Sequence, residues 1–476
     1  MLRSGSPFPT PFALTVLLSP SRFNRINRLR KKLAPIQMES SVFKFPRFDR
    51  RLWAIGGVLF LILATAFVGL RTYRNYAEPS REFNWESRGM SDFYTVYTYS
   101  KAFGDGVNPY SSEVMEHPDY IVPRNAAPFS PFAFLIYLPL TLLSLKFASV
   151  TFFVINWILF GVLALCCISM SRIKFDWVLW IWVFGFLVFS RPGHMTLFTG
   201  YFTVMLAIGT VVALHFSKSR PLLSGAGFLF AAVKPTYAIP LTLLMLARRD
   251  FKATMIGVFL TTVFAIGCFA WLSSHSDFGS VISGIQSGQE AFHNDKTEEP
   301  INTWTRIDTA AIVAKVMHRV PSSVEYLVVM LVLLVIPCLA IWRASIQEVE
   351  RNGVEKGAGS LTTVIVVLAL LVTIHRHSYD FLITSVAMVS LLLQGSQLKT
   401  SIPRFASIGI GVLLMVPMGN YASTRAFRDK LGFDQLDSAW QFTTMSNGIC
   451  LALALLVVIF FALKRKTAIR SEETSS

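Results

Sequence analysis

The chain has 476 residues, 53% of them hydrophobic and 15% charged, with a mean hydropathy of +0.52. Soluble domains carry about 25% charged residues, so a soluble enzyme is excluded. The formal net charge of +16 sits at the flanks of apolar runs, the pattern of cytoplasmic ends of membrane spans and not of a nucleic-acid-binding surface; no nucleic-acid partner is expected.

The runs are continuous instead of alternating, which predicts an all-α polytopic integral membrane protein over a β-barrel. Residues 1–51 carry eleven Lys and Arg against Glu39 and Asp49; they read as a basic, disordered cytoplasmic tail, with Met38 as an alternative start. A transmembrane domain is expected over 52–463, and 464–476 as a second cytoplasmic tail. The first span is Trp53–Leu70. A polar outer loop, 71–128, follows it and contains Gly89–Tyr110. Residues 129–144 hold Pro131 and Pro139 and read as a re-entrant or interfacial segment. Spans are expected at 147–170, 176–190 and 195–216. The 26-residue run 222–247 is expected to be two short legs meeting at Lys234-Pro235. Further spans follow at 252–272, 325–342, 360–374, 378–394, 404–418 and 443–463, with a second outer loop at 273–324. Placing the basic clusters inside gives roughly 10–12 crossings, with both termini cytoplasmic.

That topology sends several polar groups to one non-cytoplasmic face. Asp92 lies among tyrosines, including Tyr94, and reads either as a general base for a hydroxyl or as a helix N-cap ahead of Phe93–Ala102. Asp105, between two glycines, reads as a turn residue. Lys234 interrupts an apolar run, where an ionisable group is functional by default; it suits a phosphate, or snorkels to headgroups. Arg191 and His194 offer a cation and a neutral donor beside Gly193. His375, His377 and Asp380 fall between two spans and suit substrate contacts better than a metal, since their spacing matches no metal signature; no metal and no cofactor are expected. Loop 273–324, with Gln286, Gln289, His293, Trp304, Arg306 and Asp308, reads as a lid. The cysteines all lie in apolar runs and read as inert. No phosphate-binding GxxxxGK[ST] loop and no Asp-x-Asp motif occurs, which disfavours an energised pump and a cytosolic nucleotide-sugar enzyme.

Residues 91–110 read S-D-F-Y-x-V-Y-x-Y-S-K-A-F-x-x-G-x-N-P-Y, followed by Phe129-Ser130-Pro131, Gly193-His194 and the stretch from Arg220-Pro221 to Lys234-Pro235. In this the chain resembles the membrane-embedded GT-C glycosyltransferases of family 87, also described through the DUF2029 domain, over about residues 50–395. The resemblance implies inverting transfer of a sugar, in some members mannose, from a polyprenyl-phosphate donor to a lipid or glycan acceptor outside the plasma membrane. Asp92 would be the base and Lys234 a contact for the donor phosphate. The chain departs from the pattern at His194, at Ser130 and at Ser378-Tyr379-Asp380-Phe381, which lacks the following histidine. A lipid or glycan flippase and a non-catalytic envelope subunit are the alternative readings.

Overall fold

The computed structural model describes residues 49–464 apart from 78–87, 112–113, 115, 118, 121–128, 172, 294–298, 353–356, 358–359, 374–375, 394–397, 399–401 and 435. The described residues all belong to one compact unit. The expectations for residues 1–48, 465–476 and His375 therefore lie outside the described residues. What is described is all-α, with a single isolated antiparallel bridge, Arg306 to His377.

Helix α1 (Arg50–Asn75) starts at Asp49, whose carboxylate accepts from the Arg51 backbone N–H at 2.9 Å, the usual capping contact. One face buries Gly57, Ala64, Val68 and Thr72, while Leu59, Leu63 and Phe67 are more than half exposed. That is the division expected of a helix with protein on one side and lipid on the other. Helix α2 (Ser91–Gly104), within the expected polar loop, takes in the helix considered at Phe93–Ala102, but its cap is Met90 and not Asp92; nine of its 14 residues are buried. Its tyrosines and Phe93 are amphiphilic enough to pack, and Phe93 stacks on Phe152 at 4.8 Å. Short α3 (Phe132–Tyr137) runs into a 3-10 turn, Leu138–Leu142, where Pro139 lacks the N–H needed to continue an α-helix. At this length the segment does not cross a ~30 Å core.

Helices α4 (Leu145–Ser169) and α5 (Trp177–Phe189) follow. Residues 191–194, between the spans expected at 176–190 and 195–216, form the first turn of a further helix, α6 (Arg191–Thr199), bent 65° from α5. Pro192 fits that position because a first-turn N–H is unsatisfied in any case, and Ser190 caps the helix by accepting from Gly193 N–H at 3.1 Å. A β-carbon at Gly193 would lie 1.8 Å from the Leu187 carbonyl oxygen, so the bend requires glycine. Helix α6 ends at Gly200 in the left-handed region, φ 71°.

Helices α7 (Thr203–His215), α8 (Pro221–Ala231) and α9 (Pro235–Ala247) come next. The break between α8 and α9 falls at Ala232–Lys234, with Lys234 as the extended cap of α9. The two short legs read from the sequence are therefore present. The chain continues through α10 (Phe251–His275), α11 (Phe278–His293), α12 (Thr309–Met317) and α13 (Ser323–Asn352). It then passes through α14 (Leu361–Thr373), a 3-10 turn Ser378–Thr384, α15 (Ser385–Leu392) and α16 (Arg404–Gly419). A short 3-10 turn Tyr421–Ser423, α17 (Arg425–Leu431) and α18 (Ser438–Lys464) complete it. All thirteen residues of α14 are buried.

Among the described residues five helices are long and apolar enough to cross a membrane (α1, α4, α10, the Ser323–Ile346 part of α13, and α18), and α5 with α6 forms a sixth, broken one. Shorter apolar helices of 11–16 residues, such as α8 and α16, reach about 17–24 Å. Polar contacts sort the helix ends. At one end Arg50 pairs with Asp176, Lys218 with Asp250, and Ser345 bonds the Arg248 carbonyl. At the other, Gly89 N–H bonds Asn75, Met90 N–H bonds Phe198, Lys234 meets Asp380 and Arg191 reaches Ser423.

Candidate active site

Asp92 stands in the first turn of α2 and is partly buried. The cap of this helix is Met90, in the left-handed region at φ 64°. Holding a non-glycine residue there costs about 1–2 kcal/mol. Two backbone bonds fix it: Gly89 N–H to Asn75 at 3.1 Å and Met90 N–H to Phe198 at 2.6 Å. They tie the entry of α2 to the ends of α1 and α6. A carboxylate in the first helical turn is favoured in its charged form by the aligned peptide dipoles. Asp92 lies within electrostatic reach of the Tyr137 and Tyr201 hydroxyls.

Tyr201 links this carboxylate to the second cluster. Its hydroxyl also feels Asp380, and its ring lies 4.8 Å from Tyr379. Lys234 Nζ stands 3.0 Å from Asp380 Oδ2, the two residues being 5% and 0% exposed. Three tyrosine rings surround the ammonium: Tyr379 at 5.5 Å, Tyr201 at 5.6 Å and Tyr237 at 5.8 Å. Cation–π attraction and the ion pair together hold a charge that burial alone would expel. Asp380 Oδ2 also accepts from His377 N–H at 3.1 Å. Ser130 explains the approach of residues 129–131: its N–H bonds Val233 at 3.1 Å and its hydroxyl bonds Ala232 at 2.8 Å, just ahead of Lys234.

A third cluster lies around α6. Arg71 Nη1 is 3.0 Å from His194 Nε2, and His194 Nδ1 is 3.3 Å from the Tyr421 hydroxyl. A guanidinium only donates, so His194 Nε2 accepts and the ring carries its proton on Nδ1. It then donates to Tyr421, whose hydroxyl donates to the Phe189 carbonyl. His194 is thus a neutral link in a directed chain of hydrogen bonds. Arg191 is 1% exposed. Its Nη2 donates to the Ser423 carbonyl at 3.2 Å, and its guanidinium lies 5.9 Å from the Trp304 ring. Its Nε and Nη1 have no hydrogen-bond partner among the described residues.

The second loop read as a lid is anchored along its latter part. Ile307 N–H bonds Arg376, Ser378 N–H bonds Thr305, and Thr305 Oγ1 sits 2.9 Å from His377 Nδ1. Arg306 grips Asp308 through Nε and Nη2, both at 2.9 Å, and is thereby committed to an ion pair. Burial pushes the Asp308 carboxyl up, but Arg306 and backbone N–H groups of Arg376 and Ala311 outweigh it and hold it below its ordinary value. Gln286 and Gln289 are exposed on α11. Asp105 caps the end of α2 and accepts from the Tyr120 hydroxyl at 2.6 Å, with the left-handed conformation at Gly106. Among the described residues no three of His, Cys, Asp or Glu converge as a metal site. A small open cleft, with a cavity volume of about 10 Å³, lies beside α2, lined by Tyr76, Arg88, Ser91, Tyr94 and Ser149 among others.

Of the residues singled out by sequence, Asp92, Lys234, Asp380, Arg191, His194 and His377 all come to one end of the bundle, and Tyr94 lines the neighbouring pocket. The residues missed are Arg71, Tyr201 and Tyr421. Arg71 lay at the start of a presumed loop, and the two tyrosines lie outside any charged interruption of an apolar run. Neither a curated protein nor a solved structure matches the chain. The family model for glycosyltransferase family 87 matches residues 128–373, just over half of the chain, and takes in Arg191, His194 and Lys234. The chain, a helical membrane protein with this polar end, belongs to glycosyltransferase family 87.

Proposed function

We propose that the protein transfers a sugar from a polyprenyl-phosphate donor to a hydroxyl of a lipid or glycan acceptor, with inversion, on the non-cytoplasmic face of the plasma membrane. Mannose is the first sugar to try. The observation that carries this reading is the convergence of one carboxylate, Asp92, and several cations on one end of the bundle through Tyr201. In the transfer, the acceptor oxygen attacks the anomeric carbon and its proton passes to Asp92. The bond from that carbon to the phosphate oxygen breaks, and its electron pair leaves with the phosphate. Arg191 and His194 stabilise the growing negative charge in a low-dielectric setting, and Lys234, paired with Asp380, positions this end of the bundle. Tyr94 and His377 contribute to the walls that hold donor and acceptor. The opposite end carries Arg50, Lys218, Arg248 and Arg249, which supports a cytoplasmic location for that end.

Broken helices such as α5–α6 also occur in lipid carriers, whose polar groups sit at midplane between repeats. Here they gather at one end, which favours transfer chemistry. The test is incubation of purified protein with a panel of polyprenyl-phosphate sugars and lipid acceptors, reading donor consumption by mass spectrometry. Consumption of at least one donor, lost in Asp92→Asn, is expected. Unchanged turnover in that variant removes Asp92 from the chemistry.

A further inference from the structure

Lys234 is already neutralised. A phosphate binding to it has to displace Asp380, which is fully buried and also holds the His377 backbone. Arg71 and Arg191 are different. Neither pairs with a carboxylate among the described residues, and both act on the same Tyr421 hydroxyl. Cations near one hydroxyl without a paired carboxylate repel each other and attract an anion.

The two arginines divide the work by position. Arg71 is exposed, Arg191 buried. Arg71 is pinned on one side by His194 and on another by the Phe198 ring, 4.6 Å from its guanidinium carbon. Its Nη1 is occupied by His194, which leaves the Nε–Nη2 edge for a second partner. That is the same edge with which Arg306 grips the Asp308 carboxylate, and it matches two oxygens of a phosphate equally well. The seat is also next to the base: Phe198, which carries the Arg71 guanidinium, accepts the Met90 N–H two residues before Asp92.

We propose that Arg71 seats the donor phosphate through this edge, that buried Arg191 reinforces it with a second positive charge, and that Lys234 is a positioning residue. The proposal rests on the lipid-phosphate reading above and names the residue that recognises the phosphate.

The test measures affinity of the full-length protein in detergent for farnesyl phosphate, farnesol and inorganic phosphate by isothermal titration calorimetry. Wild type is expected to bind farnesyl phosphate and not farnesol. Arg71→Gln is expected to weaken binding about tenfold, the loss of a charge-assisted contact, with Arg71→Lys intermediate. The paired change Lys234→Met with Asp380→Asn is expected to weaken it less than about threefold; should that pair not fold, exposed Arg71 still decides. Farnesyl phosphate favoured over inorganic phosphate by about tenfold assigns the seat to a lipid-linked phosphate, and equal affinity assigns it to free phosphate. No binding by wild type, or binding unaffected in Arg71→Gln, overturns the proposal. Donor consumption alongside Arg71-independent binding sinks the seat and leaves sugar transfer standing. Arg71-dependent binding with no donor consumed does the reverse.

Discussion

Replacing Lys234 by methionine keeps most of the side-chain volume and removes the ammonium. Asp380 then remains fully buried without its counter-charge. At 3.0 Å and an effective dielectric near 20, the lost attraction is about 5.5 kcal/mol. Measured costs of breaking one side of a buried pair are about 3–5 kcal/mol. The carboxylate keeps the His377 N–H at 3.1 Å, which softens the loss, so about 3 kcal/mol is expected for Lys234→Met. Adding Asp380→Asn removes the orphaned charge and is expected to recover about half of it. The assay is a double-mutant cycle on the purified protein, with unfolding followed by tryptophan fluorescence during titration with denaturing detergent. The arithmetic of the cycle isolates the pair from the cap and from the tyrosine rings. A coupling below about 0.5 kcal/mol, the scatter expected of independent sites, refutes the argument that the pair fixes this end of α9.

Three further outcomes are expected. Asp92→Asn is expected to cut turnover by about 10²-fold or more, the contribution of a general base, with detergent stability unchanged; more than a tenth of wild-type activity contradicts the assignment. Asp308, whose folded value is lowered, contributes stability that is complete above its ordinary value of about 3.9 and lost as pH falls through the lower folded value. Asp308→Asn is therefore expected to flatten the acid limb of a stability–pH profile, and an unaltered limb refutes it. Gly193→Ala drives a methyl into the Leu187 carbonyl and is expected to cost more than about 3 kcal/mol, read as loss of monodisperse protein in size-exclusion chromatography; normal recovery refutes the bend.

Interruptions of apolar runs proved legible from sequence, because each charge or proline inside one has a cost that demands a structural reason. Lys234-Pro235 marked a break between two helices, and Pro139 marked a segment too short to cross. Partnership was not legible. Nothing in the spacing says that Lys234 meets Asp380, 146 positions away, or that Tyr421 returns to His194. At residues 91–104 a helix was legible but its burial was not, because tyrosines raise polarity on a hydropathy scale while burying large apolar rings. Arg71 was passed over because charge at the end of a span is ordinary, and only its neighbours make it unusual.

Helix α14 has every residue buried, and one of the helices packed on it is α18, the last described. The same α18 supplies Thr444 to Lys315 and Asn447 to Ser423, the residue whose carbonyl receives Arg191. Because α18 follows α14 in the chain, the surface of α14 that α18 covers is filled only when this last described helix packs. The polar end is complete only once α18 has packed, so its final geometry depends on the last described helix. Chains truncated before α18 are expected to lack the Thr444 and Asn447 contacts, leaving Lys315 and Ser423 without those partners.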